Sequence, residues 1–230
     1  MILSKEQLVR DSKTLKREIS NLRNPIGIAT AKHDGIVNFD EYLTASPRIL
    51  WVLKEPNAEN STESYDISGA LYDFARRRRI KTDWGNTYNL VAKVSFGILH
   101  GKSWGEVGGL GAPRPEVVQS FDKIGIVNVS KFPVGSTTDM KKLRVAYDTQ
   151  GGILGRQIKA FKPQVIICGK TIDFVDWAIG LTDYQLNTDK GFRAFSKAEQ
   201  LVIAADHPGV RSSHQKYYDS VMDIYNAWRQ

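Results

Sequence analysis

The stretch Leu50-Trp51-Val52-Leu53-Lys54-Glu55-Pro56-Asn57 decides the fold. Four apolar residues run without a break into a carboxylate, a proline and a small amide. A continuous apolar run of this length, closed by proline, reads as a strand buried on both faces. A second run of the same design, Leu201-Val202-Ile203-Ala204-Ala205, ends in Asp206-His207-Pro208-Gly209. In a parallel α/β sheet both strands deliver their last residues to one edge, where ligands bind. The pattern therefore predicts a glutamate and a histidine facing one cleft, each held by the proline that ends its strand.

The same grammar extends along the chain. Ser4 with Gln7 makes a capping box, and Leu8, Leu15, Ile19 and Leu22 then share a helical face. This predicts an N-terminal helix over 4–23, stopped by Asn24-Pro25. Strands are expected at 49–53, 124–129, 165–168 and 201–205. Helices are expected over 67–79, around Leu90, Val91, Val94 and Ile98, over 151–161 and 171–179, and after Ser213. Residues 101–115 are rich in Gly and Pro and read as a loop. Residues 185–195 read as a hairpin or an edge strand. Apolar strands alternating with amphipathic helices predict a three-layer α/β/α fold on a mostly parallel, four-stranded central sheet. No internal repeat, low-complexity tract or linker interrupts the 230 residues, so a single domain is expected.

Composition narrows the function classes. The chain is 41% hydrophobic and 25% charged, and Lys plus Arg number 32 against 25 for Asp plus Glu, a net charge of +7. A basic domain favours polyanions, nucleic acid first among them; a generic basic surface is the plain alternative. The single cysteine, Cys168, lies in the apolar run Val165-Ile166-Ile167-Cys168. One cysteine excludes an internal disulfide and a multi-cysteine zinc site. No two histidines stand at metal-ligand spacing, and the N-terminus lacks the apolar core of a signal peptide. A cytoplasmic monomer without metal or membrane contact is expected.

Three strand ends carry polar residues that a core does not need: Lys54-Glu55-Pro56-Asn57, Val127-Asn128-Val129 and His207-Pro208-Gly209. In order, separation and strand context this set resembles the uracil-DNA glycosylase superfamily. The stretch Trp84-Gly85-Asn86-Thr87-Tyr88 is also similar to the segment after the first motif in mismatch-specific members. The resemblance spans 49–228. It implies a DNA glycosylase that flips out a pyrimidine and hydrolyses its N-glycosidic bond without a cofactor. Glu55 stands at the catalytic position of the first motif and His207 at that of the last, with Asn128 as the base-reading amide. Lacking four cysteines, the chain is unlike the iron–sulfur branches. Asn57 stands where uracil-specific members have a tyrosine against C5, which implies room for a 5-substituent. Some bacterial members act on phage DNA carrying hypermodified cytosine, so both repair and anti-phage defence fall within the resemblance.

The chemistry of these residue types agrees. A carboxylate stabilises an oxocarbenium-like sugar and orients water, as expected of Glu55. An imidazole N–H stabilises the departing base anion, as expected of His207. An amide reads a pyrimidine edge, as expected of Asn128. The extruded base needs an aromatic partner, for which Trp84 is the first candidate and Tyr88 the second. Lys131, Arg211 and Lys216 are candidates for phosphate contact, and Val210 with Arg211 for a wedge entering the duplex. Each has a plain counterpart: a surface carboxylate, a helix-capping histidine, a turn-forming asparagine, a core tryptophan. The run Arg76-Arg77-Arg78-Arg79 ends a helix, where successive side chains diverge by about 100°, so the four cannot share one ligand. A non-catalytic DNA-binding relative and a small-molecule α/β hydrolase are the competing classes. Against the second, the chain has no Gly-x-Gly-x-x-Gly, Walker or Gly-x-Ser-x-Gly motif.

Overall fold

The computed structural model describes residues 3–25, 29–56, 65–133, 138–181, 191–197, 199–209 and 213–230. In chain order the elements are α1 (Lys5–Ser20), β1 (Gly35–Ile36), α2 (Phe39–Thr44), β2 (Ile49–Leu53), α3 (Ile67–Arg77), α4 (Gly85–His100), α5 (Pro115–Val118), β3 (Ile124–Asn128), α6 (Met140–Thr149), α7 (Ile153–Phe161), β4 (Val165–Gly169), α8 (Ile172–Ile179), β5 (Arg193–Lys197), β6 (Gln200–Ala205) and α9 (His214–Arg229).

Among the described residues the strands form one six-stranded sheet in the order β1-β3-β2-β4-β6-β5. The four strands expected from the apolar runs are its parallel centre. The expectation of a four-stranded central sheet is corrected to six strands, one of which, β5, overlaps the hairpin or edge strand read at 185–195. β1 and β5 add antiparallel edges, β1 against β3 and β5 against β6. β1 is only two residues long, too short to give a periodic signal, and its place at the edge comes from pairing with β3.

The apolar runs are continuous because every residue of β2, β3 and β4 is buried. Alternation sorts their side chains onto two faces. Ile49, Trp51 and Leu53 pack with Ile124, Ile126 and Ile167 under α3, α4 and α9. Leu50 and Val52 pack with Val127, Ile166 and Cys168 under α1, α7 and α8. Each such aliphatic side chain contributes about 1.5–3 kcal/mol by leaving water. Trp51 Nε1 donates to Ser95 Oγ at 3.0 Å, so the largest core side chain keeps its polar atom satisfied and ties β2 to α4.

The capping signals act as read. Ser4 accepts from Gln7 N–H, and Ser213 from Lys216 N–H. Helix α1 stops at Ser20 with Asn21 as its C-cap, three residues short of the expected end, so the turn precedes Asn24-Pro25. Residues 130–150 carry no element in the sequence reading, yet α6 lies there. Asp139 opens it by accepting from Lys141 N–H and Lys142 N–H.

Topology then locates the crevice. The chain leaving β2 passes through α3 and α4 on one face to reach β3. The chain leaving β4 passes through α8 on the other face toward β6. β2 and β4 are neighbours, so their outgoing loops diverge to opposite faces and open a gap at the carboxyl edge, the switch point of an α/β sheet.

Candidate active site at the carboxyl edge of the sheet

Glu55 follows β2 at this gap. Thr138 Oγ1, two residues before α6, donates to Glu55 Oε1. Glu55 Oε2 is buried and has no hydrogen-bond partner among the described residues. Removal from water raises the carboxyl's pKa, against the Thr138 hydrogen bond and the charge of Lys54, which lower it. The group is thus a carboxylate held short of the hydration and hydrogen bonding that its charge demands.

His207 lies two residues past the end of β6 and is half-buried. Burial, then the nearby ammonium groups of Lys54 and Lys170, lower its pKa to about 4. The ring is neutral at pH 7. Gly209 N–H donates to Nδ1 at 3.1 Å. A backbone N–H can only donate, so the proton of the neutral ring sits on Nε2, which remains a donor.

Packing brings these strand ends together. A Cβ on Gly169, at the end of β4, would fall 2.8 Å from Leu53 Cδ2 and 3.2 Å from Pro208 Cδ. Only glycine lets the end of β2 and the His-Pro loop close on β4 from its two sides. A Cβ on Gly209 would fall 3.0 Å from Thr87 Oγ1, so the same loop rests on the first turn of α4. Thr171 Oγ1 donates to Val52 O at 2.7 Å and pins the start of α8 to β2. Lys54 biases both Glu55 and His207, which joins the two motifs electrostatically.

Asn128 closes β3 opposite Leu53, 3% exposed, continuing the alternation of Ile124 and Ile126 toward the α3–α4–α9 layer. Its backbone is clamped. The N–H donates to Asp34 Oδ2 at 2.7 Å, and Lys131 Nζ donates to its carbonyl at 2.7 Å. Lys131 also reaches Asp34 Oδ2 at 2.8 Å and Gln157 Oε1 at 2.8 Å, and Gln157 Nε2 returns a bond to Asp34 Oδ1 at 2.7 Å. The expectation that Lys131 meets phosphate at the cleft mouth is therefore corrected. The residue is fully buried and all three ammonium protons are committed inside the protein.

The aromatic candidates divide. Tyr88 is half-buried, packs on Trp84 at 5.1 Å and on Phe121 at 6.4 Å, and has its pKa raised by burial and then by Tyr65 and Asp34. Trp84 packs against Tyr65, Phe74 and Tyr88, and opens into a separate groove beside the end of α3. Lys216 is exposed on the first turn of α9. Asn57, Val210 and Arg211 lie outside the described residues.

Sequence reasoning missed Thr138, Asp34 and Gln157. Asp34-Gly35 looks like a turn dipeptide, and Thr138 and Gln157 carry no local signal at all. Among the described residues no group of three His, Cys, Asp or Glu is placed to hold a metal ion, and no helix is long and apolar enough to cross a membrane. No protein-family model matches the chain, and no curated protein matches it significantly.

Proposed function

We propose that this protein is a monofunctional DNA glycosylase that hydrolyses the N-glycosidic bond of an extruded, damaged or modified pyrimidine. The observation that carries the reading is the pairing, at one sheet edge, of a desolvated carboxylate lacking a partner on Oε2 with a neutral imidazole whose Nε2–H is its donor. As the bond from C1′ to the base breaks, its electron pair leaves with the base and positive charge develops on the sugar. Glu55 stabilises that developing cation, and Oε2 can accept a proton from the water that adds to C1′. His207 Nε2–H donates to the base oxygen on which negative charge collects. Uncharged at neutral pH, the imidazole offers a hydrogen bond without the desolvation cost of a cation. Asn128, held by its clamped backbone, presents an amide for the pyrimidine edge, and Tyr88 is the aromatic candidate for stacking, since Trp84 lines the groove beside α3. The three-motif resemblance to the uracil-DNA glycosylase superfamily and the net charge of +7 point to the same substrate class.

The test measures abasic-site formation on oligonucleotides carrying uracil, 5-hydroxymethylcytosine or a bulkier 5-substituted cytosine, single- and double-stranded. Release from the substituted cytosines favours a defence role against modified phage DNA; release from uracil alone favours repair and removes the selectivity assigned to Asn57. DNA affinity without base release from any substrate identifies a non-catalytic relative. Absence of both removes the reading. Affinity is expected to fall steeply with salt as lysine and arginine displace counterions. The reading carries with it a cytoplasmic monomer that needs no cofactor.

A further inference from the structure

The four-arginine run is divided by the fold. Arg76 pairs with Asp122 and stacks over Tyr72 at 5.0 Å. Arg78 takes the left-handed conformation that ends α3, with φ 53°. That turn puts Arg77 and Arg79, but not Arg78, on the lining of a groove of about 820 Å³, with Lys81 beyond them. This volume lies within the roughly 300–1,000 Å³ of small-ligand pockets. The groove's apolar wall is Phe74, Ile80 and Trp84, and two carboxylates, Asp73 and Asp83, also reach it. All three cations and both carboxylates are exposed.

We propose that this groove is a second DNA subsite, which takes one flanking nucleotide of the strand whose base enters the sheet-edge site. The proposal rests on the DNA reading above and extends it. The chemistry is that of a nucleotide carrying an exocyclic amine. Arg77, Arg79 and Lys81 meet the phosphate, the apolar wall meets the face of the base, and Asp73 or Asp83 accepts from an amino group, as carboxylates do from cytosine N4. Uracil and thymine, which present carbonyls there, meet repulsion instead. The groove is joined to the proposed active site only through the start of α4. Trp84, on its wall, immediately precedes α4, and Thr87 on the first turn of that helix supports Gly209 behind His207. Trp84 and Thr87 are about one helical turn apart along the chain.

The experiment titrates the full-length protein with labelled pentadeoxycytidylate and pentathymidylate at low and moderate salt. Two variants accompany it: the surface double substitution Arg77→Ala/Arg79→Ala, and Ala70→Trp, which fills the groove from α3. The exposed arginines make the first variant safe for folding if the second is not. The expected result is several-fold tighter binding of the cytidylate by the wild type, and a loss of at least tenfold in the double variant. Wild-type affinity in both variants, or preference for the thymidylate, overturns the proposal. Base release is scored separately on wild type. Base release with no effect of the variants removes the groove and leaves the glycosylase reading. Groove-dependent binding without base release does the reverse.

Discussion

The Asp34–Lys131 pair and the Glu55–His207 pair flank the same carboxyl edge, and the protein treats them in opposite ways. Around Asp34 every polar group is answered: Lys131 has three acceptors, and the carboxylate accepts from Asn128, Lys131 and Gln157. Around Glu55 one carboxylate oxygen has no partner among the described residues, and His207 is kept from protonating by burial and then by two lysines. A satisfied buried network holds backbone in place, while a carboxylate oxygen without a partner leaves room for a further donor. The first cluster fixes Asn128; the second is free to respond to chemistry.

The comparison breaks most visibly at Asp34. Asp34→Ala leaves a buried ammonium unpaired and is expected to cost about 3–5 kcal/mol of stability. Replacing the pair together, Asp34→Leu with Lys131→Met, should recover only part of that loss, because it removes both buried charges but leaves the Asn128 backbone and the Gln157 amide without their partners. Denaturant melts of the single and double variants check this. Equal destabilisation in both would mean that the cluster does more than fill a buried space.

Glu55→Gln should act the other way. Base release should fall by about 10²–10⁴-fold, the range for loss of a positioned acid–base group. Stability should rise. A carboxyl whose folded pKa is raised favours folding below its ordinary pKa and loses that advantage as pH climbs through the folded value, so at neutral pH the charged group opposes folding. The amide removes that opposition. A melting temperature at or below wild type would place Glu55 among the structural carboxylates.

His207→Ala should lower turnover by about 10²–10³-fold, the cost of one anion-stabilising donor, with DNA affinity little changed. A smaller effect sharpens the same point. With its pKa near 4, His207 stays neutral through mild acid, so base release should show no histidine-like inflection between pH 8 and 5. The unfolded chain binds that proton near the ordinary value of 6.5, so this residue's linkage erodes stability as pH falls from about 6.5 toward 4. Lys54→Met removes one of the two charges that oppose protonation. It should raise the pKa of His207, read directly from the imidazole resonance in a pH titration by NMR; an unshifted resonance would remove Lys54 from the site.

The parallel centre of the fold was legible because its strands announce themselves: short apolar runs with proline, glycine or a polar residue at their ends. Glu55, Asn128 and His207 were legible for the same reason, since a polar residue just past a buried strand has nowhere to go but the carboxyl edge. Of the two edge strands, β5 overlaps the hairpin or edge strand read at 185–195, while β1 gave no signal. Gly35–Ile36 is too short for a period, and the antiparallel pairing of 193–197 with 200–205 needs the partner strand to exist first.

The sequence by itself determined which residues leave the core, because burial and periodicity are properties of neighbours along the chain. Tertiary structure decided what each of those residues does. Lys131 and Lys54 look alike as basic residues at strand ends. Asp34, 97 positions away, turns the first into an internal tie, while the second is left beside Glu55 and His207. Thr138 reaches Glu55 across 83 positions, and Gly169 closes β4 between β2 and the His-Pro loop. These are contacts between distant segments, and no local spacing encodes them; they exist only once the parallel sheet has brought its carboxyl ends to one edge.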